Sequence, residues 1–193
     1  MSKRKVKTMS DEIRYRINAI ETRYNGILFR SRLEARWAAM FDLLGWRWTY
    51  EPTEFNGWIP DFAIQGKEVV YVEVKPFHTF PISVANELDQ TGCEAEILLL
   101  GMHGPVNTHF DRNRPMLGFL RDNGCWSWAP LGVWDDCYGF CHDEISFTDR
   151  ISGKHTGSWG DNVTVNEALS LWRDACNKTR WMPNVQRSRR YGT

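Results

Sequence analysis

Val69-Val70-Tyr71-Val72 is the stretch that most restricts what this chain can fold into. Successive strand side chains point to opposite faces, so a strand that is apolar at four consecutive positions is one covered on both faces. The run ends in Glu73-Val74-Lys75, and the two-residue spacing sets Glu73 and Lys75 side by side on one face at the end of that strand. Charges in such a place cost on the order of several kcal/mol unless something compensates them.

The flanking residues supply the covering layers. From Ser31 to Leu44, Leu33, Trp37, Met40, Phe41 and Leu44 recur at three- and four-residue intervals and Gly45 follows as a left-handed cap, which predicts an amphipathic helix. Strand patterns run from Trp46 to Glu51, Trp58 to Ile64 and Glu68 to Lys75, separated by Pro52 and by the turns Asn56-Gly57 and Gln65-Gly66. A helix from Ile82 to Gln90, closed by Gly92, and an apolar strand from Glu96 to Leu100 complete an α-β-β-β-α-β order. The expected fold class is α/β. Ile13, Ile17 and Ile20 predict a short helix ahead of it, from Asp11 to Glu21. Beyond it, Met116 to Asp122 and Cys125 to Trp134 flank Asn123-Gly124, a hairpin signal because both turn positions need positive φ. A strand is expected near Glu144 to Thr148, then a Gly/Ser/His-rich loop from Ser152 to Asp161. Thr164-Val-Asn-Glu167 is a capping box opening a last helix. Trp37, Trp46 and Trp172 lie on apolar patterns and are read as core.

At 193 residues, 42% hydrophobic and 25% charged, the composition is that of one folded domain with a small appendage. No apolar run approaches the roughly 18 residues of a membrane span, and Met1-Ser2-Lys3-Arg4-Lys5 leads into polar sequence, so neither membrane insertion nor secretion is expected. Five irregularly spaced cysteines fit reduced thiols or a metal site in a cytoplasmic setting. The formal charge of zero conceals an uneven distribution. Residues 1–36 carry ten Lys/Arg against four Asp/Glu and residues 173–193 six against one, while 37–172 carry eight against nineteen. The basic ends are either solvated surface or a means of attracting a polyanion.

Four residues form a chemical set. Asp61 follows Pro60 in the second strand, Glu73 and Lys75 close the third, and Glu34 lies on the first helix at the margin of its apolar stripe. Mg²⁺ takes hard oxygen ligands, typically one or two carboxylates plus waters and phosphate oxygens, and Asp61 and Glu73 could provide them from adjacent strands. Lys75 could hold or help deprotonate an attacking water, with Glu34 a further ligand, directly or through water. Each residue also has an ordinary reading: a turn Asp, a solvated Glu-x-Lys pair, and a Glu34 paired with Arg30 four residues earlier.

Arg30-Ser-Arg-Leu-Glu34-Ala-Arg-Trp37, Pro60-Asp61 and Glu73-Val74-Lys75-Pro76, in that order, resemble the PD-(D/E)XK nuclease superfamily over about half of the chain, from Tyr24 to Leu100. The phrasing is most similar to small phage-encoded nucleases and to resolvase-like and transposase endonuclease subunits. The resemblance implies a restriction-endonuclease-like core, a central mixed sheet flanked by helices, and Mg²⁺- or Mn²⁺-dependent hydrolysis of DNA phosphodiesters to 5′-phosphates. Asp61, Glu73 and the main-chain carbonyl of Val74 would bind metal, Lys75 would position water, and Glu34 would complete the site. Arg30, Arg32 and Arg36 are candidates for DNA phosphates, with His78 as a further contact or proton donor. A homodimer would suit double-strand cutting, and the missing helix-turn-helix pattern favours structure-directed over sequence-directed cutting. The alternatives are a noncatalytic nucleic-acid- or protein-binding module on the same fold, and an exonuclease or RNA-cleaving relative.

On this reading residues 1–22 are a basic lead, 23–110 the nuclease core, 111–163 a β-rich addition and 164–193 a helix with a basic tail ending in Arg187-Ser-Arg189-Arg190. Cys137, Cys141 and His142, with Cys125, His155 and Cys176 nearby in sequence, raise structural Zn²⁺ in a zinc-ribbon-like addition. With one close cysteine pair in place of the usual two, a lost site, an irregular site and ordinary thiols all stay open.

Overall fold

The computed structural model describes residues 19–66, 68–105, 115–134, 137–141, 147–148 and 161–180. The chain opens with a hairpin, β1 (Thr22–Tyr24) and β2 (Ile27–Phe29), turned at Asn25-Gly26, both with positive φ. Helix α1 (Arg32–Leu43) follows, then β3 (Arg47–Tyr50), β4 (Phe62–Gln65), β5 (Val69–Val74), α2 (Ile82–Asp89) and β6 (Glu96–Leu100). The chain continues through β7 (Met116–Asp122), β8 (Cys125–Trp134), β9 (Cys137–Cys141), β10 (Phe147–Thr148) and β11 (Asp161–Asn162) to α3 (Val165–Lys178). From α1 to β6 this is the expected α-β-β-β-α-β order.

The strands form one mixed sheet in the order β10-β9-β8-β7-β6-β5-β4-β3, with β11 beside β8. Only the β5–β6 pairing is parallel among those described, and α2 lies on the crossover such a pairing requires. β7 pairs with β6, and Trp46 Nε1 donates to the Tyr138 carbonyl at 2.8 Å, so the β-rich segment extends the first sheet.

The double-sided burial expected of β5 is realised. Val70, Val72 and Val74, with Leu98 and Leu100 of β6, face a core containing Trp37, Met40 and Phe41 of α1 and Ala168 and Ala175 of α3. Tyr71, Ile97 and Leu99 face the opposite side, with Leu88 of α2 and the rings of Phe77, Phe119 and Trp128. Trp37 is fully buried, donates to the Gly101 carbonyl at 2.9 Å and lies 4.7 Å, centroid to centroid, from Trp172. Gly104 makes this packing possible, since a Cβ there would stand 2.2 Å from the Trp172 ring.

Local signals fix several boundaries. Ser31 caps α1 by accepting from the Glu34 N–H, and Gly45 has φ +72 just beyond the helix. The capping box at Thr164 and Glu167 is formed. Asn123-Gly124 takes the positive φ pair expected of the β7–β8 hairpin.

The second strand of the first sheet is shorter than its pattern suggests. Trp58 bridges back to Phe55 around Asn56-Gly57, and Pro60, with no N–H to give, keeps the chain out of the ladder until Phe62. The expected helix from Asp11 to Glu21 falls mostly outside the described residues, but 19–21 are not helical and β1 begins at Thr22. Of the strand expected at Glu144 to Thr148, Phe147–Thr148 is described. The loop 152–160 and the terminal arginines lie outside the described residues. Among those described, no helix is long and apolar enough to cross a membrane.

Candidate active site

Asp61, Glu73, Lys75 and Glu34 converge where β4 begins and β5 ends. The register aligns Phe62 with both Tyr50 of β3 and Val72 of β5, which brings the residues just outside those positions together. Asp61 is 2% exposed, Glu73 4% and Glu34 7%, and burying three carboxylates in one place is the main electrostatic fact of this fold.

Each carboxylate has defined partners. Asp61 Oδ2 accepts from the Val74 N–H at 2.7 Å, and its Oδ1 from Arg30 Nη2 at 2.7 Å. Arg30 also reaches Glu51, Nε to Oε1, at 3.1 Å. Glu73 Oε1 pairs with Lys75 Nζ, as their shared strand face anticipated, and Oε2 accepts from Trp58 Nε1 at 2.8 Å. Glu34 Oε2 accepts from the Tyr50 hydroxyl at 2.7 Å, and that hydroxyl accepts from the Arg30 N–H at 3.2 Å. The ordinary pairing of Glu34 with Arg30 is thus not the one formed; the ion pairs of Arg30 are to Glu51 and Asp61.

The protonation equilibria follow from this crowding. Burial, and then the charges of Glu73 and Glu34, raise the Asp61 carboxyl from its ordinary range to about 7, against the pull of the Val74 N–H and Lys75. Burial opposes the charge on Lys75, but the Glu73 carboxylate outweighs it and the ammonium is held above its usual value. Burial and the hydrogen bond to Glu34 push the Tyr50 hydroxyl up to about 12.

A cleft of about 400 Å³ meets this cluster at Glu34, Val74 and Lys75. Arg32 and Arg36, one helical turn apart on α1, line its wall, and the Nε of each is buried with no hydrogen-bond partner. Of the three candidate arginines, therefore, two face the cleft and the third serves Asp61. His78 lies outside this cleft, exposed on the loop after β5, with its Nδ1 2.7 Å from His103 Nε2.

The residues fit a hard divalent cation in donor chemistry. Asp61 and Glu73 offer oxygens whose second lone pairs are not exhausted by one donor each, and Val74, whose carbonyl was the expected third ligand, lines the cleft. Among the described residues no group of three or more His, Cys, Asp or Glu is arranged as a metal site, so water and substrate oxygens would supply most of the shell, as is usual for Mg²⁺.

The zinc candidates of the addition lie on β9 and beyond it. Cys137 and Cys141 are the two ends of the extended strand β9, which separates their backbones by about 13 Å. His142 and His155 lie outside the described residues, while Cys93, Cys125 and Cys176 are free thiols.

Tyr50, Glu51, Trp58 and His103 join the site or its margin without having been anticipated. Glu51 is unusual in its backbone, with φ +45 and its N–H donating to the Asp61 carbonyl at 3.0 Å. The chain matches no known protein family, and no characterised protein or solved structure is significantly similar to it.

Proposed function

We propose that this protein is a divalent-cation-dependent DNA endonuclease of the PD-(D/E)XK type, hydrolysing phosphodiesters to 5′-phosphate ends. The observation that carries the reading is the buried Asp61–Glu73 pair with Lys75 on the same strand face, opening through Glu34 and Lys75 into a cleft lined by two arginines whose Nε atoms have no hydrogen-bond partner among the described residues. A carboxyl group raised to about 7 by burial and by its acidic neighbours is one that a cation would readily convert to its charged form.

Asp61, Glu73 and the Val74 carbonyl would hold Mg²⁺ or Mn²⁺. When bound, the ion supplies Lewis-acid stabilisation of the charge that builds on the phosphate. Lys75, held as an ammonium, orients the attacking water and faces the developing negative charge. Glu34, fixed by Tyr50, accepts a hydrogen bond from that water. Arg32 and Arg36 donate to phosphate oxygens of the strand in the cleft, and the basic ends of the chain add salt-sensitive attraction. A structure-directed substrate, a homodimer and a cytoplasmic setting belong to the same proposal.

Incubation of the pure protein with linear, nicked, single-stranded and branched DNA plus Mg²⁺ tests it. Cleavage that Asp61→Ala abolishes is expected; cleavage no greater than that of Asp61→Ala overturns it. A second reading, a noncatalytic module on the same fold, is favoured by one observation: Arg30 and Lys75 already pair with both carboxylates. Calorimetric titration with Mn²⁺ separates the two, since the module would bind none through Asp61 and Glu73.

A further inference from the structure

A second cluster of metal-ligating groups lies at the same end of the sheet, outside the carboxylate site. β5 and β6 are parallel neighbours with Val74 opposite Leu100, so the loops that follow them leave the sheet side by side. His78 stands on the first loop and His103 on the second, both exposed, with ring centroids 4.7 Å apart. His103 Nε2 and His78 Nδ1 are 2.7 Å from one another. Pro76 and Met102, two and one residues before them, line the cleft that meets Glu34 and Lys75.

The geometry points to a two-histidine site for a divalent first-row transition ion such as Zn²⁺, at the margin of the candidate cleft. Imidazole nitrogen is the donor such ions favour over the carboxylate oxygens that suit Mg²⁺. Zn–N bonds of about 2.0–2.1 Å at a tetrahedral angle place two nitrogens about 3.3 Å apart, so the rings need separate by only about 0.6 Å. Exposed loop side chains can do this without disturbing the core.

No proton need leave the protein. In the hydrogen-bonded pair one of the two facing nitrogens carries the shared hydrogen. On binding, the donor ring of the pair shifts that hydrogen to its outer nitrogen, so that His78 carries its hydrogen on Nε2 and His103 on Nδ1, both rings stay neutral and both facing lone pairs turn to the ion. Two protein ligands leave positions that water or a phosphate oxygen at the cleft mouth can fill.

Calorimetric titration of the full-length, tag-free protein with Zn²⁺, in excess Mg²⁺, tests the site. One binding event is expected, weakened at least about tenfold in both His78→Ala and His103→Ala and unchanged in Asp61→Ala. Histidine ¹⁵N spectra should show His78 Nδ1 and His103 Nε2 shifting together as Zn²⁺ is added. No Zn²⁺ binding, or binding of equal strength in the histidine variants, overturns the proposal. The Asp61→Ala arm keeps this result separate from the nuclease reading, whose failure would leave it standing.

Discussion

The carboxylate cluster and the arginine wall border one cleft, yet they resolve their buried charge in opposite ways. Asp61, Glu73 and Glu34 accept from Arg30, Val74, Lys75, Trp58 and Tyr50, whereas the Nε atoms of Arg32 and Arg36 have no hydrogen-bond partner among the described residues. A buried unpaired donor is a standing penalty of about 1–3 kcal/mol, which a bound anion would relieve. The difference separates what the fold supplies from what it leaves for a ligand: the carboxylates are positioned by the protein, and on the proposed reading the arginines would meet phosphate.

The largest expected effect breaks the carboxylate side. Lys75→Met should lower the DNA cleavage rate by about 10²–10³-fold with the fold intact by circular dichroism. A smaller change would mean that Lys75 merely neutralises Glu73.

Next is the stability of the metal-free protein. The folded-state value of Asp61, about 7, lies above the ordinary carboxyl value, so its contribution is full below about pH 4 and lost as pH rises through 7. Thermal unfolding in chelator should therefore show stability declining between pH 5 and pH 8, by an amount on the order of a few kcal/mol, and Asp61→Asn should flatten this slope. Mg²⁺ should stabilise the protein more at pH 8 than at pH 5, because it selects the ionised carboxylates.

The arginine side predicts a contrasting pattern. Replacing both Arg32 and Arg36 with alanine should reduce the slope of log DNA affinity against log salt by roughly 1.8 for duplex DNA, measured by fluorescence anisotropy. Chemical unfolding of that variant should show no loss of stability, because the buried Nε atoms that lack a hydrogen-bond partner are removed with the side chains. A further effect is expected at the join between the two sides. Tyr50→Phe deprives Glu34 of its donor and should cost about 1–3 kcal/mol in urea unfolding.

Much of this arrangement is legible locally. The three- and four-residue spacing of Trp37, Met40 and Phe41, the Asn123-Gly124 turn, the Thr164–Glu167 capping box and the shared face of Glu73 and Lys75 each depend on residues close in the chain. The β1–β2 hairpin escaped despite an Asn25-Gly26 turn of the same kind, because its three-residue strands are too short to show alternation. The ordinary pairing of Glu34 with Arg30 fails for a specific reason. Ser31, with extended backbone at φ −138 and ψ 155, caps the helix, so Arg30 precedes it and the four-residue helical pairing with Glu34 does not apply. Tyr50, Trp58 and His103 reach the site only through the β3–β4–β5–β6 register, which no local pattern encodes.

The central claim is that Asp61 and Glu73 together hold a divalent cation. A crystal soaked in Mn²⁺ and measured at the manganese absorption edge tests it directly. The account expects one anomalous peak within about 2.1 Å of an oxygen of each carboxylate, with Arg30 and Lys75 drawn away from them. No peak between Asp61 and Glu73, with both ion pairs intact, would contradict it.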